Sequence, residues 1–64
     1  MNVNGRQIAI ENELPLNVFL EKQGYDIQKV AVEKNGVIVP KKSFEKETLS
    51  DSDKLEIVSF VGGG

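Results

Sequence analysis

The chain closes on Gly62, Gly63 and Gly64, and the group there best suited to chemistry is the carboxylate of Gly64. At an average glycine use of about 7%, two glycines at a given pair of positions arise by chance in roughly 0.5% of chains, so chance explains the run poorly. A residue without Cβ is narrow and conformationally permissive, which lets such an end thread a channel in a partner. Each extended residue reaches about 3.3 Å, so three glycines carry the carboxylate about 10 Å beyond a folded body. A carboxylate repels nucleophiles and offers a poor leaving group, and no residue of this chain is suited to activating it. Activation therefore has to come from a partner. Coupling to a nucleotide gives a mixed anhydride with a good leaving group, a magnesium ion offsets charge in that step, and a sulfur nucleophile can then form a terminal thiocarboxylate. The competing explanation of the run is a remnant of cloning.

Other chemistry finds little support. The 64 residues include no cysteine and no histidine, which removes disulfides, thiolate zinc sites, cysteine nucleophiles, and the commonest general base and metal ligand. Phosphate loops, GxGxxG turns, HExxH and the EF-hand pattern are missing. Asp51-Ser52-Asp53 sets two carboxylates in a turn, but the remaining calcium ligands are lacking, so it reads as a solvated turn and no metal is assigned. Lys41-Lys42 reads as a solvated basic pair, and Tyr25 as a packing residue beside a helix end. Eight basic against ten acidic residues give a net charge of -2, which argues against nucleic acid as a partner. The first residues lack the apolar stretch of a signal peptide, and no run approaches the ~18 residues of a membrane span, so a soluble chain without a membrane partner is expected.

The elements that position the tail follow from period and turn chemistry. Met1 and Val3 alternate with polar neighbours, Asn4-Gly5 is a two-residue hairpin signal, and Ile8 and Ile10 resume the alternation over residues 7–11. Leu16, Phe19 and Leu20 at i, i+3 and i+4 predict a helix over about 15–23, with Pro15 suited to the first helical position and Gly24 to the C-terminal cap. Residues 29–34 and 37–39 predict a second strand pair around Asn35-Gly36. The charged stretch 41–48 reads as an ordered crossing with one helical turn, anchored by Phe44 and Leu49. Residues 54–61 predict a last strand running into the glycines. The order β-β-α-β-β-β predicts an α+β fold, one mixed sheet wrapped around one helix with its other face open to solvent.

In that last strand Leu55, Ile57 and Ser59 share one face and Glu56, Val58 and Phe60 the other. With Leu55 and Ile57 committed to the core, Val58 and Phe60 lie on the uncovered face. Together with Val61 at the root of the tail they form a candidate docking patch, although single exposed apolar residues are common.

Nearly the whole chain resembles the ThiS family, the ubiquitin-like β-grasp sulfur carriers of thiamin biosynthesis. The resemblance rests on Asn4-Gly5, Val30-Ala31-Val32, Ile38-Val39-Pro40, Asp51-Ser52-Asp53-Lys54 and the close from Val58 to Gly64. It implies a mixed sheet of four to five strands around one helix, a domain over 1–61, and a flexible tail over 62–64. By resemblance, Gly63 and Gly64 match the family's terminal pair, and Gly62 stands where relatives often carry another small residue. The Gly64 carboxylate is then adenylated by an E1-like adenylyltransferase using ATP and magnesium, and sulfur comes from a cysteine desulfurase-derived persulfide. Thiazole synthase uses the resulting thiocarboxylate. The chain itself is then a cytoplasmic co-substrate with no bound cofactor, not an enzyme, and relatives dock through the exposed face of the last strand. Two departures stand out: Pro15 replaces the usual threonine or serine cap, and the tail has three glycines. The alternatives are the small subunit of molybdopterin synthase, a ubiquitin-like modifier conjugated to lysine, and a β-grasp binding module whose glycines come from cloning.

Overall fold

The computed structural model describes residues 1–60. The first hairpin pairs β1 (Asn2–Val3) with β2 (Arg6–Gln7), and Asn4 and Gly5 hold φ of 52° and 84°, the two left-handed positions that a twisted two-residue turn requires. The same solution recurs where Asn35 and Gly36, at 52° and 84°, join β4 (Val30–Lys34) to β5 (Val37–Val39). The last strand, β7 (Lys54–Ser59), lies between these hairpins, parallel to β1 and antiparallel to β4. The result is the expected mixed sheet, in the order β2-β1-β7-β4-β5.

One helix, α1 (Leu16–Lys22), packs on it. Leu16, Phe19 and Leu20 from the helix meet Val3, Val30, Val32, Val39, Leu55 and Ile57 from the strands, and Met1, Phe44 and Leu49 complete the core. All twelve are apolar, and among the described residues no polar residue is fully buried, although Asn17 Oδ1 is buried without a hydrogen-bond partner. Gly24, at φ 85°, ends the helix as expected: its N–H donates to the Glu21 carbonyl and the Tyr25 N–H to the Leu20 carbonyl, the paired bonds of a Schellman cap. Tyr25 is partly buried against the core, as a packing residue should be.

Three details differ from the sequence expectation. Pro15 is not the first helical residue. At ψ 148° it is extended and precedes the helix, and with Leu14 it forms β3 (Leu14–Pro15), paired with β6 (Thr48–Leu49) in a separate two-stranded sheet. The helix can start there without a side-chain cap because the crossing supplies acceptors: Leu16 N–H donates to Glu47 O at 2.7 Å and Asn17 N–H to Phe44 O at 3.1 Å. The first hairpin is also shorter than expected. Ile8 still pairs with Met1, but the Ile10 N–H is taken by Asp51 Oδ1 at 3.1 Å, which draws residues 8–10 away from the sheet edge. Finally, residues 27–29 form a 3-10 turn that the pattern did not show, fixed by Asp26 Oδ1 accepting from the Gln28 N–H. The helical turn expected in the crossing is present at Lys41–Ser43, and Phe44 and Leu49 are its buried anchors.

Candidate functional site

The root of the proposed tail is β7, an interior strand hydrogen-bonded on both edges. Leu55 and Ile57 point into the core, while Val58 and Phe60 are 58% and 54% exposed, so the predicted division of faces holds. The Phe60 N–H donates to the Lys29 carbonyl at 2.7 Å, which extends the pairing with β4 one residue past the strand's end. Val61, Gly62, Gly63 and Gly64, named above as docking and tail residues, lie outside the described residues, and so does the boundary expected between 61 and 62.

Register identifies neighbours of the patch that sequence reasoning did not assign. Val58 stands opposite Ala31, and Glu56 opposite Glu33, which in turn stands opposite Ile38 of β5. Paired residues share a face, so exposed Ile38 joins Val58, Phe60 and Ala31 on the outer surface. The alternation of Ile38 with buried Val39 carried this signal, but in a three-residue strand it could be read only once the register with β4 was known. Two carboxylates, Glu33 and Glu56, stand opposite each other on this face, with exposed Lys54 on the same face two residues before Glu56. The face thus offers apolar contact next to charges of both signs.

Two asparagines hold β7 in place. Asn35 Oδ1 accepts from the Lys54 N–H at 2.9 Å while its own N–H donates to the Lys54 carbonyl at 2.8 Å. The Asn4 side chain bonds both polar groups of the Ile57 main chain. Each is the first residue of a two-residue turn, so the turns that shape the hairpins also fasten the strand between them.

The Asp51 and Asp53 carboxylates are committed to the fold. Asp51 Oδ1 accepts from the N-terminal ammonium at 3.0 Å and from Ile10, and these bonds hold its carboxyl below the ordinary range. Asp53 is not the solvated residue expected: it accepts from the Ser50 N–H at 2.8 Å and the Asn35 amide at 3.0 Å, with the Lys34 ammonium 3.8 Å away. Lys34 also donates to Glu47 at 2.8 Å and to the Thr48 carbonyl, tying β4 to the crossing. Lys41 and Lys42 are exposed, as expected, and the Lys41 ammonium also donates to the Gln28 carbonyl at 2.7 Å. No helix among the described residues is long and apolar enough to cross a membrane.

Comparison with known proteins agrees along the whole chain. The model of the ThiS family matches residues 1–64. A thiazole synthase of Paramagnetospirillum magneticum is 44% identical over 62 residues, covering 97% of this chain but 19% of that protein. The uncharacterized protein ycf40 of Pyropia yezoensis is 33% identical over 64 residues, covering all of this chain and 90% of that one. The crystal structure of the thiamine biosynthesis protein ThiS from Geobacter metallireducens superposes with a TM-score of 0.81 at 29% identity, over 98% of this chain and 96% of that one. The chain therefore spans about a fifth of the thiazole synthase it matches and nearly the whole of the small relatives.

Proposed function

The chain belongs to the ThiS family, and from that premise we propose that it is a sulfur carrier of thiamin biosynthesis whose Gly64 carboxylate cycles through an acyl-adenylate to a thiocarboxylate. The observation that carries this reading is the extent of the family match, which runs through Gly62, Gly63 and Gly64 instead of stopping at the folded body.

An oxygen of the Gly64 carboxylate attacks the α-phosphorus of ATP held by an E1-like adenylyltransferase, and pyrophosphate leaves. The outer sulfur of the persulfide donor then attacks the acyl carbon, a C–S bond forms, and AMP departs with the former carboxylate oxygen, leaving an acyl disulfide to the donor. A thiol attacks the donor's own sulfur, breaks the S–S bond by forming a disulfide with the donor, and releases the Gly64 thiocarboxylate. The chain's own part is placement. Val58 and Phe60 give the partner a fixed surface, with Val61 proposed to join it, and the glycines pass through its channel. On this reading the protein is a co-substrate and not a catalyst, it works in the cytoplasm, and ATP and magnesium belong to the activating partner.

Thiazole synthase is the proposed recipient. Proteins of that name from two organisms include a stretch similar to nearly all of this chain. A carrier and an acceptor that share one polypeptide in some organisms are natural partners when separate. The test is to load the protein with isotopically labelled sulfur and add thiazole synthase with its other substrates. Label should pass to the thiazole product, and a Gly64-deleted protein should transfer none. Label that stays on the protein, or transfer without Gly64, would contradict the assignment.

A further inference from the structure

Both hairpins turn on Asn-Gly, the sequence most open to a reaction of the main chain with its own side chain, because glycine puts no Cβ beside the attacking nitrogen. The two pairs share one backbone shape, with the same φ at each asparagine and at each glycine. Both asparagine carbonyls accept a main-chain N–H, from Ile57 at 2.7 Å and from Lys54 at 2.9 Å, which draws electron density from Cγ and steadies an oxyanion formed there. The difference lies in the nucleophile. The Gly5 N–H donates to Asn2 Oδ1 at 3.0 Å, whereas the Gly36 N–H makes no hydrogen bond among the described residues. Both turns are exposed, so water reaches each.

We propose that Asn35 is a site of spontaneous deamidation in the folded protein, and that Asn4 is protected. The Gly36 nitrogen loses its proton to solvent base and bonds to Asn35 Cγ, and the Cγ–Nδ2 bond breaks to release ammonia. Water then opens the cyclic imide to aspartate or isoaspartate. Either product ends the donation from Asn35 Nδ2 to Asp53 Oδ1 at 3.0 Å and puts a second carboxylate against the first. Isoaspartate also lengthens the main chain of a two-residue turn. The change therefore loosens the fastening of Lys54, where β7 begins, and gives the carrier an ageing step at the base of the strand that leads to its tail.

The protein is incubated folded in mildly alkaline buffer, digested at intervals, and mapped by mass spectrometry for aspartate and isoaspartate at both positions. Asn35 converts about fivefold or more faster than Asn4, the rate equivalent of one neutral hydrogen bond holding Gly5. Asn2→Ala, which frees the Gly5 N–H, raises the Asn4 rate toward that of Asn35. In urea-unfolded protein the two rates converge. Equal rates in the folded protein, no response to Asn2→Ala, or a difference that survives unfolding would each overturn the proposal. The consequence for β7 is read separately in Asn35→Asp, where hydrogen exchange at the Lys54 amide accelerates; unchanged exchange removes the ageing step.

Discussion

The side-chain amide of Asn4 serves Ile57 as a strand would: Asn4 Oδ1 accepts from the Ile57 N–H at 2.7 Å, and Asn4 Nδ2 donates to the Ile57 carbonyl at 3.1 Å. The parallel ladder between β1 and β7 has its paired residues at Asn2 and Val3, so this amide carries the pairing two residues further along β7. A residue chosen for its left-handed φ of 52° thereby also steadies the strand that bears Val58.

Replacing Asn4 by glycine keeps the turn conformation and removes the amide, so it isolates the clamp. The expected loss is about 1–2 kcal/mol, two partly buried hydrogen bonds. Asn4→Ala costs roughly a further 1 kcal/mol because it must also hold positive φ. Urea denaturation measures both, and a glycine variant as stable as the parent would show that the amide contributes nothing.

The second small sheet belongs to the core, since Leu49 in β6 has no exposed surface. Leu49→Ala should cost about 2–5 kcal/mol, which is much of the stability of so small a domain. A loss below about 1 kcal/mol would mean that β3 and β6 form a detachable flap.

Stability should be flat near neutral pH and fall at both extremes. Backbone donation from Ile10 and the N-terminal ammonium hold Asp51 below the ordinary value of 3.8. Burial pushes Asp53 upward, but the Asn35 amide, the Ser50 hydrogen bonds and Lys34 together bring it below 3.8. Both contributions are complete above 3.8 and disappear as the pH falls through the lower folded values. Lys34 is held above 10.5, chiefly by its hydrogen bond to Glu47 and against the pull of burial; its contribution is complete below 10.5 and lost as the pH rises through the folded value. Thermal midpoints against pH should show both limbs. Asp53→Asn should shrink the acid limb, and an unchanged limb would remove Asp53 from this role.

Phe60→Asp and Ile38→Asp place a charge on the exposed face without touching the core, Ile38 opposite Glu33 and Phe60 across from Lys29. Titration calorimetry with the E1-like partner should show at least about tenfold weaker binding for Phe60→Asp. Denaturation midpoints should move by no more than about 0.5 kcal/mol in stability. A smaller loss for Ile38→Asp would put the contact's centre on β7, and full-strength binding by both variants would reject the face as the docking surface.

Local features of this fold were readable from the chain. The faces of β7 follow from alternation, the two turns from Asn-Gly, and the helix end from Gly24, because each signal sits within a few residues. What could not be read depends on distant partners. Asn4 and Ile57 are 53 positions apart, and β3 and β6 are two residues each, too short to show a period. The start of the helix at Leu16 depends on carbonyls from residues 44 and 47, so Pro15 looked like a helical residue until the crossing was in place. For the site, sequence alone singled out Val58, Phe60 and the glycines, while Ile38 and the Glu33–Glu56 pair appeared only with the register.

The central claim concerns one atom at the end of the chain, and intact mass reads it directly. After incubation with ATP, magnesium, the E1-like adenylyltransferase, a persulfide donor and a thiol reductant, the protein should gain the mass difference of one oxygen replaced by sulfur, with fragmentation assigning it to Gly64. An unchanged mass, or a covalent bond from Gly64 to a lysine of another protein, would contradict the sulfur-carrier account.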